Sequence, residues 1–291
     1  MNISKKIFDF FIYSNLFVSL CVVALCECSR IILEVSQSDN LPLIFFSTLF
    51  IYNFQRYVRI NNLKENSNAI SWTQKNMALT KLLMLCSLIF VFFFATKLSV
   101  KLFFCLVPIF IISIFYSLKI FTQNGINFSI RELPLVKIFL ISFVWSYVTV
   151  ILIAVEKDLF INSEIIILFL SRFCFVFAIT IPFDIRDLKY DSHNLKTIPQ
   201  KFGEEKSKNI AFYALATFEI FSIILFFISK FPIYVLISLI FCSLLTAILI
   251  YRSSSKKNSL YFSFYVESAS ILMLILLFIL QLAFGIFVPL N

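Results

Sequence analysis

The chain has little glycine. Only Gly125, Gly203 and Gly285 occur in 291 residues, none near the middle of an apolar run. Transporters commonly break their spans with Gly or Pro near mid-membrane. A transporter with Arg172, Glu219 and Glu267 as an intramembrane relay therefore ranks last among the functions considered. Histidine is scarcer still: His193 is the one example and sits in a polar loop, where an imidazole is normally solvated and a poor prospect for a general base. No Gly/Ser-rich linker, shift of composition or clear repeat divides the sequence, so residues 1–291 are expected to form one domain. No A-x-A-like cleavage site follows the first apolar run, which Lys5 and Lys6 precede and which is longer than an ordinary h-region. That segment is expected to stay in the chain. Cys21, Cys86, Cys105, Cys174 and Cys242 fall inside apolar runs, where a thiol behaves as a small apolar group. Cys26-Glu-Cys28 has no partner Cys or His pair nearby, so a structural role is preferred to a soft-metal site.

What the chain does have is apolar length. Sixty per cent of residues are hydrophobic and 39 are Phe, against roughly 45–50% apolar in soluble domains. Apolar runs long enough to cross a ~30 Å hydrocarbon layer cover about nine segments: 7–28, 41–57, 77–96, 102–121, 135–155, 164–182, 209–228, 231–251 and 261–288. An all-α, polytopic membrane protein follows.

Lysine and arginine set its expected orientation. With the N-terminus in the cytoplasm, the inner loops and span ends collect Lys5, Lys6, Arg56, Arg59, Lys64, Lys75, Lys119, Arg131, Lys137, Arg186, Lys189 and seven more. The outer face holds only Arg30, Lys97, Lys101, Lys157 and Lys230. The expected topology is N-terminus in and C-terminus out, in what is expected to be a bacterial inner membrane. The net charge of +9 is a topology signal, with no call for nucleic acid as a partner. Three long connections, 58–76, 122–134 and 183–208, lie on the cytoplasmic side and mark the working face.

Asp184, Asp187 and Asp191 stand where the sixth run, ending at Pro182, becomes polar. At 100° per residue a helix would hold them within one arc of about 60°, a geometry suited to a cation, with Arg186 and Lys189 projecting to the other side. The stretch Asp184-x-x-Asp187-x-x-x-Asp191, followed by Leu195-Lys196-Thr197-Ile198-Pro199 and Phe202-Gly203-Glu204-Glu205-Lys206-Ser207-Lys208, resembles the second aspartate-rich region of UbiA-type intramembrane prenyltransferases. The resemblance implies a helical bundle around a central cavity open to lipid. There a polyprenyl diphosphate is bound through Mg2+ by the three aspartates and its prenyl group passes to an aromatic or other hydrophobic acceptor.

The family's first motif, N-x-x-x-D-x-x-x-D, is matched only at its leading residue: Asn53, with Tyr57 and Asn61 where the aspartates stand. A phenol and an amide cannot replace two anionic oxygens for a hard octahedral ion. Arg56 on nearly the same face as Asn53 is therefore expected to meet the diphosphate by bidentate hydrogen bonds, with Arg59 a weaker candidate. Their alternative role is anchoring at the lipid headgroups. Tyr116-Ser-Leu-Lys119 resembles a Y-x-x-x-K element of the family, one residue short. Lys119 and Lys137 are candidates to hold the diphosphate.

Deep charges need partners, since each costs roughly 2.5–3.5 kcal/mol at mid-membrane. Arg172 and Glu219 lie at similar depth, about 18 and 15 Å from the inner ends of consecutive spans, so they are expected to pair. Glu267 is close enough to the inner surface to reach cavity water, and could orient or deprotonate an acceptor. Lys81 is expected to snorkel. Phe and Tyr faces could stabilise an allylic cation and shield it from water. Besides the transporter, a non-catalytic family member that binds isoprenoid lipid or a protein partner stays open, supported by the lost aspartates.

Overall fold

The computed structural model describes residues 3–60, 68–119, 121–123, 126–133, 135–188 and 195–284. Within the described residues, each of the expected apolar runs is mainly helical, the fourth only as far as Phe115. The first is α1 (Ile3–Tyr13) and α2 (Leu16–Ile32), bent by 57° at the break between them. There follow α3 (Leu41–Ile60), the short amphipathic α4 (Asn68–Lys75), α5 (Met77–Ala95) and α6 (Val100–Phe115). A hairpin of β1 (Phe121–Gln123) and β2 (Ile126–Phe128) and a 3-10 turn, Ile130–Glu132, lead to α7 (Val136–Ser146), which continues through a π-turn, Tyr147–Ile151, into α8 (Leu152–Glu156). The C-terminal part is α9 (Ser163–Asp187), α10 (Ile198–Ser229), α11 (Ile233–Tyr251), a second π-turn, Tyr261–Val266, and α12 (Ala269–Ala283). The small hairpin is a departure from a purely helical chain, confined to one connection.

Six described stretches are long and apolar enough to cross a membrane by length and composition, and the bent α1–α2 pair makes up to seven. The two remaining apolar helices fall short for visible reasons: α3 ends in Gln55, Arg56 and Arg59, and α6 has only 16 residues. The bundle is wrapped around α9, whose Phe175, Ile181 and Ile185 are fully buried against α7 and α10. Large apolar side chains on the outside, among them Phe92, Phe93, Phe104 and Phe227, form the surface a bilayer requires.

The helix of the sixth run continues past the apolar limit at Pro182, as the helical reading of Asp184 and Asp187 requires, and ends at Asp187. Pro removes one i→i−4 bond, but packing on both sides carries α9 a further turn to Asp187. One local expectation is corrected: Arg172 does not pair with Glu219; its guanidinium donates to Ser29 Oγ at 3.1 Å and reaches Met273 Sδ at 3.6 Å. These partners lie on α2 and α12 rather than on α10, so helix rotation rather than depth chose them. Cys26 and Cys28 are completely buried, as apolar fillers beside this arginine. Lys81 is exposed and lies over the Tyr57 ring at 5.7 Å, the snorkelling geometry expected of it.

Gly203 interrupts α10 with φ 79° and ψ 170°, a conformation essentially restricted to glycine, and its carbonyl accepts from Ser207 Oγ at 2.6 Å. No atom lies within 4 Å of where a Cβ would stand, so the restriction is purely torsional. Gly203→Ala is therefore expected to lower stability by about 1–3 kcal/mol, read as a fall in detergent Tm. An unchanged Tm would show that the break relaxes into continuous helix at no cost.

Candidate functional site

The end of the bundle that carries the C-terminus of α9 is built around a helix break that the sequence does not advertise with Gly or Pro. Asn15 adopts φ 68° between α1 and α2, which leaves backbone carbonyls without helical partners. Asn53 supplies them. Its Nδ2 donates to Ser14 O at 2.9 Å and Leu49 O at 2.8 Å, while its Oδ1 accepts from Asn15 Nδ2 at 3.0 Å. Arg56 donates to Tyr13 O and, at 2.5 Å, to Asn15 Oδ1. Asn53 is thus a buried, fully bonded brace outside the cavity lining, whereas Arg56 both braces the break and lines the cavity.

Lys137, in the first turn of α7, meets the C-terminal end of α9. Its Nζ lies 2.6 Å from Asp184 Oδ1 and 3.8 Å from Asp187 Oδ2. Asp184 is 2% exposed and Lys137 7%, so this contact is made away from water, where a charge without a partner is costly. Asp187 also accepts a bidentate pair from Arg186, Nε to Oδ1 at 2.7 Å and Nη2 to Oδ2 at 3.0 Å. The expectation that Arg186 points away is overturned. The helix ends at Asp187, and there an adjacent long side chain can fold back, which the angular argument for a continuous helix did not allow. Asp191 lies in 189–194, with Lys189 and His193, outside the described residues, as does Asn61.

Lys119 stands apart. It pairs with Glu132 at 3.5 Å, with both side chains more than a third exposed, and is absent from the cavity wall. Arg131 takes the inner position instead. The Ser129-x-x-Glu132 capping box turns the chain, Ser129 N donating to Glu132 Oε2 at 2.8 Å, and Arg131 N bonds Tyr116 O at 3.1 Å. Arg131 is the cavity residue that sequence reasoning treated only as a topology charge, although the capping box that orients it was readable.

A cavity of about 610 Å³ opens beside these groups, with Asp187 and Lys137 on its wall and the buried Asp184 behind Lys137 rather than on it; the volume is within the roughly 300–1,000 Å³ typical of small-molecule sites. Arg56, Arg59, Arg131, Lys137 and Arg186 line it, against the carboxylates of Asp187 and Glu267. Beyond the mouth the wall is mainly apolar, with residues such as Ile44, Val91 and Ile109, and is interrupted by Tyr52, whose hydroxyl accepts from Trp145 Nε1 at 3.0 Å. One helical turn separates Tyr52 from Arg56, about 6 Å. A cationic mouth over an apolar chamber suits an anionic head on an apolar tail.

The acidic pair also fits a magnesium ion. Two hard carboxylates converge on a single ammonium group, so their oxygens already favour a cation, and Mg2+ is usually held by one or two carboxylates plus substrate phosphates and water. Among the described residues no cluster of three His, Cys, Asp or Glu forms a metal cage, so substrate oxygens would have to complete the coordination.

A model of the UbiA prenyltransferase family matches residues 67–278, which include Lys137, Asp184 and Asp187 and begin beyond Asn53 and Arg56. Among solved structures, a UbiA homolog from Archaeoglobus fulgidus bound to GPP and Mg2+ superposes with a TM-score of 0.63 at 12% identity, over 92% of this chain and 99% of that one. An apo UbiA homolog from Aeropyrum pernix K1 gives 0.55 at 14% identity, over 98% of each chain. At these identities the structural likeness speaks to fold. No curated protein matches the chain in sequence.

Proposed function

Because the chain belongs to the UbiA prenyltransferase family, we propose that it is an intramembrane enzyme moving a prenyl group from a magnesium-bound polyprenyl diphosphate to a lipid-soluble acceptor. The observation that carries this reading is the convergence of Asp184 and Asp187 on the Lys137 ammonium, with Lys137 and Asp187 on the wall of a cavity that is lined by arginines and by many apolar side chains. The A. fulgidus homolog's complex with GPP and Mg2+ supports the same ligand class.

In this reading Asp184 and Asp187, with Asp191 four residues further along the sequence, would hold magnesium, whose charge would stabilise the departing diphosphate. Arg56, Arg59, Arg131 and Arg186 bind diphosphate oxygens as forked donors, replacing the cationic field that the residues at 57 and 61 cannot help to create. Lys137, which touches both carboxylates and lines the cavity, holds the headgroup while the carbon–oxygen bond breaks. Asn53 acts through Arg56 by fixing the α1–α2 break, and Lys119 contributes long-range charge at the entrance. The apolar wall excludes water from the allylic cation. All of the mouth cations belong to the set assigned to the cytoplasmic face, which supports a site opening inward, an N-terminus in the cytoplasm and a C-terminus outside.

Membranes containing the protein, incubated with magnesium and labelled prenyl diphosphates of several lengths, are expected to yield an extractable labelled lipid that protein-free membranes do not. Tight binding of the diphosphates with no such product would favour the non-catalytic reading, which the Tyr57 substitution supports.

A further inference from the structure

Glu267 places a carboxyl group on the cavity wall inside the bundle. Among the described residues its side chain makes no hydrogen bond and no ion pair, while its backbone is fully engaged, the carbonyl accepting from Cys21 Sγ at 3.4 Å and the N–H donating to Phe262 O at 3.1 Å. The carboxylate lines the cavity next to Ser263, and Tyr52 and Arg186 are the wall groups that interact with it electrostatically. Two of the lining residues flank a π-turn: Glu267 comes directly after Tyr261–Val266, and Trp145 lies two residues before Tyr147–Ile151. Such wide turns are uncommon and re-aim side chains relative to a regular helix. Tyr52 uses its oxygen to accept from Trp145, which leaves its own proton to donate.

We infer that Glu267, with the Tyr52 hydroxyl, forms the acceptor subsite, and that it selects a neutral, hydroxyl-bearing, lipid-soluble acceptor over one that carries a carboxylate. This rests on the prenyl-transfer reading above. The cavity wall carries arginines together with Glu267, whose carboxyl group takes no bond from the protein among the described residues, although Arg186 acts on it electrostatically. In a chamber of low dielectric, an ionised acceptor would face like-charge repulsion from Glu267. A phenol or alcohol O–H satisfies the carboxylate with a charge-assisted bond. In the transfer, the allylic C–O bond breaks with its electron pair leaving on the diphosphate. The acceptor's nucleophilic atom bonds the allylic carbon, and the acceptor proton passes to Glu267 Oε.

Trp145 provides a readout that needs no turnover. In a Trp72→Phe background, Trp145 emission is followed while para-propylphenol or para-hydroxyphenylpropanoate is added to detergent-solubilised protein. The neutral phenol is expected to bind saturably and at least about tenfold more tightly than the propanoate, and Glu267→Gln is expected to close most of that gap. Equal affinities for the two ligands in the protein with Glu267 intact, a comparison independent of how the variant folds, would overturn the inference, as would a preference for the propanoate. A parallel Tm measurement with magnesium and geranyl diphosphate separates the two readings. Donor binding without phenol discrimination sinks only the Glu267 assignment. Phenol discrimination without donor binding leaves the subsite and removes the prenyl-transfer reading.

Discussion

Replacing Asp187 with Ala is expected to lower magnesium-dependent prenyl transfer by about 10²–10³-fold or more, the range seen when a group that stabilises developing charge is removed. The protein is expected to stay folded. Asp187 shares the Lys137 ammonium with Asp184, which keeps its own 2.6 Å contact, and Arg186 retains the Phe183 ring, 5.1 Å from its guanidinium carbon. Asp187→Asn is the sharper variant, since it preserves shape and removes only the anionic oxygen a hard ion prefers. Product formation from labelled donor is the measurement. Activity retained within a few-fold in both variants would show that Asp187 serves Arg186 alone and that the diphosphate is held elsewhere.

The second large effect is on stability. Lys137→Ala leaves Asp184, almost wholly buried, without the ammonium 2.6 Å away, and removing one member of a buried pair typically costs about 3–5 kcal/mol. A marked fall in detergent Tm is expected. Lys137→Met combined with Asp184→Asn should recover most of it, because no buried charge is then left alone. Magnesium should also recover part of the loss in Lys137→Ala, whose carboxylates remain. Lys119→Ala gives the scale for an exposed pair, expected at about 0–1 kcal/mol. If Lys137→Ala is no worse than Lys119→Ala, the carboxylates are solvated and the closed geometry of the mouth is wrong.

The architecture was largely legible because the solvent imposes it. A bilayer leaves unbroken apolar helix as nearly the only permitted form for a long hydrophobic run, so the segments could be read from composition and length. What escaped was local and depended on neighbours. The α1–α2 break has no glycine or proline to announce it. Asn15 tolerates the left-handed conformation only because Asn53 and Arg56 satisfy the exposed carbonyls, and those two residues lie 38 and 41 positions away. The two π-turns likewise follow from packing around the cavity and leave no mark in periodicity.

The site divides in the same way. The aspartates at 184 and 187 and the basic residue at 137 were visible as types at the ends of spans, because ionisable groups stand out against an apolar background. Their mutual geometry was not, since it depends on how α7 rotates against α9. Arg186 shows the limit of the helical wheel. The wheel assumes a helix that continues, and at a terminus a guanidinium can turn back onto the carboxylate beside it. Arg172 shows the limit of depth matching, which cannot tell which helix face a side chain occupies.

The most direct test of the central claim is the detergent Tm of the purified protein with magnesium alone, geranyl diphosphate alone and both together. A cation position formed by Asp184 and Asp187 and completed by substrate oxygens requires a large upward shift only when both ligands are present, since selective binding to the folded state must stabilise it. That shift should be absent in Asp187→Ala. An equal shift with diphosphate alone, or no shift with either combination, would contradict it.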